Sequence, residues 1–266
     1  MPAFFLDRLI SFLRRGYAET VNPYSGRIAR IDLSPDRVHT LVLWSKDFGP
    51  FLHEPEPFRA YHLYFLFTVN DMPTLEPGVP PLGERLDQAR ELAARYGGER
   101  IGWRFDPVVF RSDGPEMTVD TFRRIGDVMT EAGVRRAIFS FLDLYGKVSA
   151  RNARLGLGII DPPGEVKREY AAGLAFAARE RGLTLESCSE SLGALDGIIP
   201  SACIDGALLS RLAGEPARMT KDRGQRSACR CTVSRDIGSY GDMPCPHGCL
   251  YCYANPLFGD GTERGT

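Results

Sequence analysis

Arg100-Ile-Gly-Trp-Arg-Phe-Asp-Pro-Val-Val-Phe110 is an apolar, β-rich run. It is followed by Val119 to Ala132, whose apolar residues recur at helical spacing before a stop at Gly133, and then by a second β-rich run, Ala137-Ile-Phe-Ser-Phe-Leu-Asp-Leu144. A strand, a helix and a strand in that order predict a βαβ unit of a parallel sheet. The pattern repeats outward. Upstream, strands are expected over Thr40 to Lys46 and Leu63 to Asn70, with a helix from about Leu82 to Tyr96 closed by Gly97 and Gly98. Downstream come a helix over Val166 to Arg181 and a strand over Leu183 to Glu190, while Ala3 to Gly16 reads as an amphipathic helix. Five such strands predict an α/β fold, a complete or partial (β/α) barrel, over residues 1–199. From about Pro200 the pattern fades, apart from a short helix near Ala207 to Leu212, into a Cys-, Gly- and Arg-rich region. Residues 200–266 are therefore read as a C-terminal cysteine-rich cap.

Composition narrows the classes. The 266 residues are 43% hydrophobic and carry 33 basic against 34 acidic side chains, which is globular and gives no general case for nucleic acid or anionic membrane as partner. The longest strongly apolar run, Leu63 to Val69, is far too short to span a bilayer, and the N-terminus lacks the pattern of a signal peptide, so no membrane association and a cytoplasmic location are expected.

In such folds reactive groups collect at the carboxyl ends of the strands. Those ends carry Trp44, Lys46, Thr68, Asn70, Arg104, Asp106, Ser140, Asp143, Glu186, Cys188 and Glu190. Alternation places Arg104 and Asp106 on one face of their strand, opposite Trp103 and Phe105, and gathers Glu186, Cys188 and Glu190 opposite Leu185. A polar pocket is expected there, although any single member could equally be a solvated strand end or half of an internal salt bridge.

All seven cysteines lie between Cys188 and Cys252. An odd number at tight spacing in a reducing compartment favours metal ligation over disulfides. Cys245-Pro-His-Gly-Cys249-Leu-Tyr-Cys252 is a C-x3-C-x2-C loop, and three thiolates on one loop can each hold a different iron of a [4Fe–4S] cube, leaving the fourth iron open. The alternative is a zinc knuckle with His247 or a remote residue as fourth ligand. Cys188, Cys203, Cys229 and Cys231 equal the number that ligates a second cluster, or a structural zinc, and could also be small buried hydrophobes. Arg218, Lys221, Arg223, Arg226, Arg230 and Arg235 form a basic stretch beside them. It reads as a solvated loop, or as a site for phosphate, nucleic acid or an acidic electron donor such as a flavodoxin or ferredoxin. No aromatic residue interleaves with it before Tyr240, which weakens a single-stranded nucleic-acid surface. No P-loop, dinucleotide fingerprint or nucleophile elbow is present.

Cys245, Cys249 and Cys252, with Tyr251 before the last of them, resemble the cluster motif of the radical S-adenosylmethionine (SAM) superfamily, and Cys249-Leu-Tyr-Cys252-Tyr253 is similar to its spore photoproduct lyase branch. The chain as a whole resembles an uncharacterised bacterial family of unknown function, through Val42 to Lys46, Trp103 to Pro107, Ser140 to Tyr145, Cys203 to Gly206 and Cys245 to Asn255. The resemblance implies that the open iron chelates SAM, that one-electron reduction cleaves the sulfonium to a 5′-deoxyadenosyl radical, and that Tyr251 packs beside cluster and adenine. Lys46, Arg104, Asp106, Asp143 and Glu186 are then candidates for SAM or substrate. A non-catalytic zinc or iron–sulfur protein and a DNA-lesion repair lyase are the alternatives. Radical SAM proteins usually carry the motif early, so here the layout is expected to be permuted, with the C-terminal loop across the barrel mouth. Family relatives have a strand ahead of the position of Pro2, so a first strand is expected to be missing, and a version extended upstream to be more soluble.

Overall fold

The computed structural model describes residues 2–21, 26–190, 192, 195–238 and 243–255. In chain order the elements are α1 (Pro2–Arg15), β1 (Tyr17–Val21), β2 (Ile28–Asp32), β3 (Leu41–Ser45), α2 (Gly49–His53), β4 (Leu63–Thr68), α3 (Leu82–Tyr96), β5 (Ile101–Arg104), β6 (Phe110–Arg111) and β7 (Gly114–Pro115). There follow α4 (Val119–Glu131), β8 (Arg136–Phe139), α5 (Gly146–Leu155), β9 (Ile159–Ile160), α6 (Gly164–Glu180), β10 (Thr184–Ser187), β11 (Ile198–Pro200) and α7 (Gly206–Ala213).

Six strands form one parallel sheet in the order β3-β4-β5-β8-β10-β11, so neighbours in space are neighbours in the sequence. Period-two alternation sorts its side chains onto two faces. Phe65, Phe67, Trp103, Phe139 and Leu185 point toward α3, α4 and α6, meeting Leu92, Phe122, Ile125, Met129 and Leu174 in the main core. Trp103 stacks on Phe122 at 4.7 Å, and its indole N–H donates to the Val69 carbonyl at 3.0 Å. On the other face Tyr64, Leu66 and Ile138 are covered by Cys203, Leu209, Cys229 and Cys231. Gly102 makes room for Tyr64 on this face: a Cβ there would lie 2.7 Å from the tyrosine oxygen. Thr118 caps α4 by accepting from the Thr121 N–H, and Asp205 caps α7 by accepting from Ala207 and Leu208.

The expected helices near residues 82–96, 119–132, 166–181 and 207–212 are all present, with ends shifted by two residues at most. The run from Arg100 to Phe110 is not one strand. It leaves the sheet after Arg104, because Pro107 has no N–H to give a ladder. Val108 then bridges Phe141, and Phe110–Arg111 joins β7 and β9 in a separate antiparallel sheet. The strand expected over Ala137 to Leu144 ends at Phe139, and the one over Leu183 to Glu190 at Ser187. The elements that went unread include the β1–β2 hairpin, the short helix α2, the two-residue strands β7 and β9, the edge strand β11, and α5, a polar helix that buries only Val148 and Arg151. Among the described residues β3 and β11 each have one partner in the sheet, and no helix is long and apolar enough to cross a membrane.

Candidate functional site

The three-cysteine loop has no regular secondary structure, so its position depends on hydrogen bonds to the segment that follows β4. Gly78 N–H donates to the His247 carbonyl at 2.9 Å, His247 Nδ1 lies 2.8 Å from the Gly78 carbonyl, and Leu250 N–H donates to the Leu75 carbonyl at 2.8 Å. From α5, Arg151 Nη1 donates to the carbonyls of Leu250 and Cys252 at 2.9 and 2.7 Å, and Asn255 Nδ2 donates to that of Cys249 at 3.0 Å. Gly248 turns the loop at φ +65°, a left-handed conformation that favours glycine. The loop is thereby seated at the carboxyl ends of β3 and β4. Cys249 and Tyr251 are buried in the main core, while Cys245 and Cys252 are half-buried. Burial pushes the Cys249 thiol up to about 12 and raises that of Cys245, and both feel the neighbouring Cys252 sulfur.

Tyr251 is turned inward. Its hydroxyl donates to Glu76 Oε1, and Lys46 Nζ donates to the same atom at 2.8 Å. Glu76 is 2% exposed, and its second oxygen has no hydrogen-bond partner among the described residues. Burial raises the Glu76 carboxyl, but Lys46, the Tyr251 hydrogen bond and Arg85 more than offset this and hold it below the ordinary carboxylate range.

The second set of cysteines lies on the other face of the sheet. Cys188 follows β10, Cys203 follows β11, and Cys229 and Cys231 return on a hairpin closed by an antiparallel bridge between Lys221 and Thr232. The Cys188 and Cys203 sulfurs are 3.8 Å apart, and Arg104 Nη1 donates to Cys203 Sγ at 2.9 Å. Hydrogen bonds from Cys188 and Cys231, with Arg104 beside it, hold Cys203 well below an ordinary thiol despite its burial.

A polar chain joins the two sets. Glu76 Oε1 accepts from Asn70 Nδ2 at 3.3 Å, and the same amide nitrogen donates to the Asp106 carbonyl at 2.8 Å. Asp106 carries Ser140 on one carboxylate oxygen and Arg104 on the other, and Arg104 reaches Cys203. The Arg104 guanidinium lies 4.3 Å from the ring of the exposed Trp44, and its buried Nε has no partner among the described residues. Lys46, Arg104 and Asp106 therefore share one strip across the strand ends. Asp143 stands apart and exposed, paired with Arg226 at 2.9 Å and Tyr145 at 3.1 Å. Glu186 is engaged in the sheet: both its oxygens accept from Arg136, at 2.6 and 2.7 Å. The six basic residues from Arg218 to Arg235 are all exposed. A hollow of about 380 Å³ lined by Phe58, Tyr61, His62 and Arg100 lies at the opposite, amino ends of β4 and β5.

Among the described residues no three His, Cys, Asp or Glu side chains already stand in metal-ligating geometry. A family model described as a domain of unknown function, DUF1848, matches residues 1–254. The chain belongs to the DUF1848 family. No curated protein matches it. Two members of this DUF1848 site escaped sequence reasoning. Glu76 lies in a Pro- and Gly-rich link that reads as a bare connection, and Arg151 lies on the unread α5. Nothing in their spacing signals contact with residues 99 to 175 positions away.

Proposed function

We propose that this DUF1848 protein is a cytoplasmic iron–sulfur enzyme of radical SAM type, with Cys245, Cys249 and Cys252 holding a [4Fe–4S] cluster. The observation that carries the reading is the C-x3-C-x2-C loop, held at the carboxyl ends of the parallel strands by its hydrogen bonds to Gly78 and Leu75. The donor set fits such a cluster: three soft thiols on one turn, in a buried setting without a competing carboxylate on the loop itself. When bound, the cluster and SAM would supply a 5′-deoxyadenosyl radical for hydrogen abstraction.

The chain's own part is positioning and the exclusion of water. Arg151 and Gly78 clamp the loop backbone, and Tyr251 ties it to Glu76, which Lys46 also holds. Arg104, Asp106 and Trp44 offer charge and an aromatic face beside it for SAM or substrate. The consecutive strand order, with helices on one face and the cysteine-rich segment on the other, supports a partial barrel under a C-terminal cap. The exposed basic hairpin near the second cysteine set suits an acidic electron donor.

A zinc knuckle is the second reading, favoured by one observation: His247 is buried with Nδ1 bonded to Gly78 and Nε2 without a partner among the described residues, the arrangement of a ligand histidine. Anaerobic reconstitution separates the two. The cluster reading expects about four irons and four sulfides per chain, lost in C245S/C249S/C252S and kept in His247→Ala. Zinc that disappears with His247→Ala, and no sulfide, would establish the knuckle instead.

A further inference from the structure

The four cysteines outside the loop carry an inference of their own, which goes beyond the proposed function and stands on different residues. We infer that Cys188, Cys203, Cys229 and Cys231 form a mononuclear tetrathiolate site that takes zinc.

Three separate pieces of chain deliver these four residues to one place. β10 ends at Ser187, directly before Cys188, and β11 ends at Pro200, three residues before Cys203. The hairpin carrying Cys229 and Cys231 is pinned to the same spot by Thr232 N–H on the Ile204 carbonyl at 2.9 Å. Cys203, Cys229 and Cys231 are all buried. Each of these three sulfurs receives an N–H: Arg104 Nη1 to Cys203 at 2.9 Å, Ile204 N–H to Cys231 at 3.4 Å, and Cys231 N–H to Cys229 at 3.4 Å. N–H donors aimed at sulfur are what thiolate ligands need around them.

Spacing selects the metal. Four sulfurs about 2.3 Å from one tetrahedral zinc lie about 3.8 Å from each other. Cys188 and Cys203 are 3.8 Å apart. In a cubane each cysteine holds a different iron, so the cysteine sulfurs stand well beyond contact. In the present conformation no three of the sulfurs yet enclose a common point, so loading turns side chains inward on backbones already brought together.

The fold also has a use for the ion. Between α7 and residue 238 the chain has no helix or strand of its own beyond the Lys221–Thr232 bridge, yet it covers Tyr64, Leu66 and Ile138. A zinc shared by two strand ends and the hairpin would staple that segment to the sheet.

The test uses the full chain, wild type and C245S/C249S/C252S, purified with zinc and iron in the medium. About one zinc per chain is expected in the triple variant, whatever the fate of iron, with a zinc K-edge spectrum fitted by four sulfurs at about 2.3 Å. C229S/C231S should lower this occupancy at least tenfold. Should that variant fail to fold, titration of the folded C245S/C249S/C252S protein with an organomercurial should release the zinc as its four remaining thiols react. Two results would overturn the inference. One is a metal-free protein with a Cys188–Cys203 disulfide; the other is iron and sulfide, rather than zinc, lost on substituting Cys229 and Cys231.

Discussion

Glu186 shows how a strand-end carboxylate can belong to the fold instead of to a ligand. Its two oxygens face Arg136, which also donates to the Tyr64 hydroxyl at 2.9 Å and to the Ala202 carbonyl at 2.5 Å. Removing one partner of a buried pair leaves the other charge uncompensated, which costs about 3–5 kcal/mol. Glu186→Ala is expected to lose that much unfolding free energy in a denaturant titration; wild-type stability would show the pair to be dispensable. Glu76 makes a pH-dependent contribution. Its folded carboxyl lies below the ordinary value, so the stabilisation is complete above the unfolded value of about 4.3 and fades as pH falls toward the folded one. Denaturation midpoints measured from pH 7 down to pH 3 should therefore drop less steeply for Glu76→Gln than for wild type. Parallel acid limbs would place the carboxylate's stabilisation elsewhere. Alternation in the sequence gives the face on which Glu186 lies; it cannot give its partner, which comes from a different strand 50 residues away.

Among the elements, the link after β4 matters more than its composition suggests. A Cβ on Gly78 would sit 2.6 Å from the His247 carbonyl oxygen, against backbone that has no flexible end to move. Gly78→Ala is expected to cost about 1–3 kcal/mol as overpacking and to displace the cysteine loop. Iron retained after reconstitution should fall at least twofold while the circular dichroism of the sheet and helices is unchanged. Wild-type iron content would mean that the loop is not seated through Gly78. Helices were the more legible elements because their stops are local: Gly97 after α3, Gly133 after α4 and Gly182 after α6. Strand ends were read too long because they depend on where a neighbouring strand stops, and the apolar residues from Phe105 to Phe110 remain buried after leaving the sheet.

At the scale of the whole molecule, the alternation of strands and helices made the parallel sheet legible, and the clustering of seven cysteines marked the C-terminal region as the expected place of metal ligation. Their division into two sets on different sides of the sheet was legible only as arithmetic, three plus four. It takes the sheet between them to separate Cys249, packed in the helix-side core, from Cys203, Cys229 and Cys231 on the opposite face. The strip from Glu76 through Asn70, Asp106 and Arg104 to Cys203 crosses three regions of chain, and no local pattern encodes it. The central claim is that the loop of Cys245, Cys249 and Cys252 holds a cluster with one iron open to SAM. Its most direct test is the electron paramagnetic resonance spectrum of the reconstituted, dithionite-reduced protein with and without SAM, read together with the 5′-deoxyadenosine formed. A SAM-dependent change in the cluster signal, with 5′-deoxyadenosine produced by wild type and absent from Cys249→Ser, is the predicted result. A reduced cluster whose spectrum ignores SAM, with no 5′-deoxyadenosine, would contradict it.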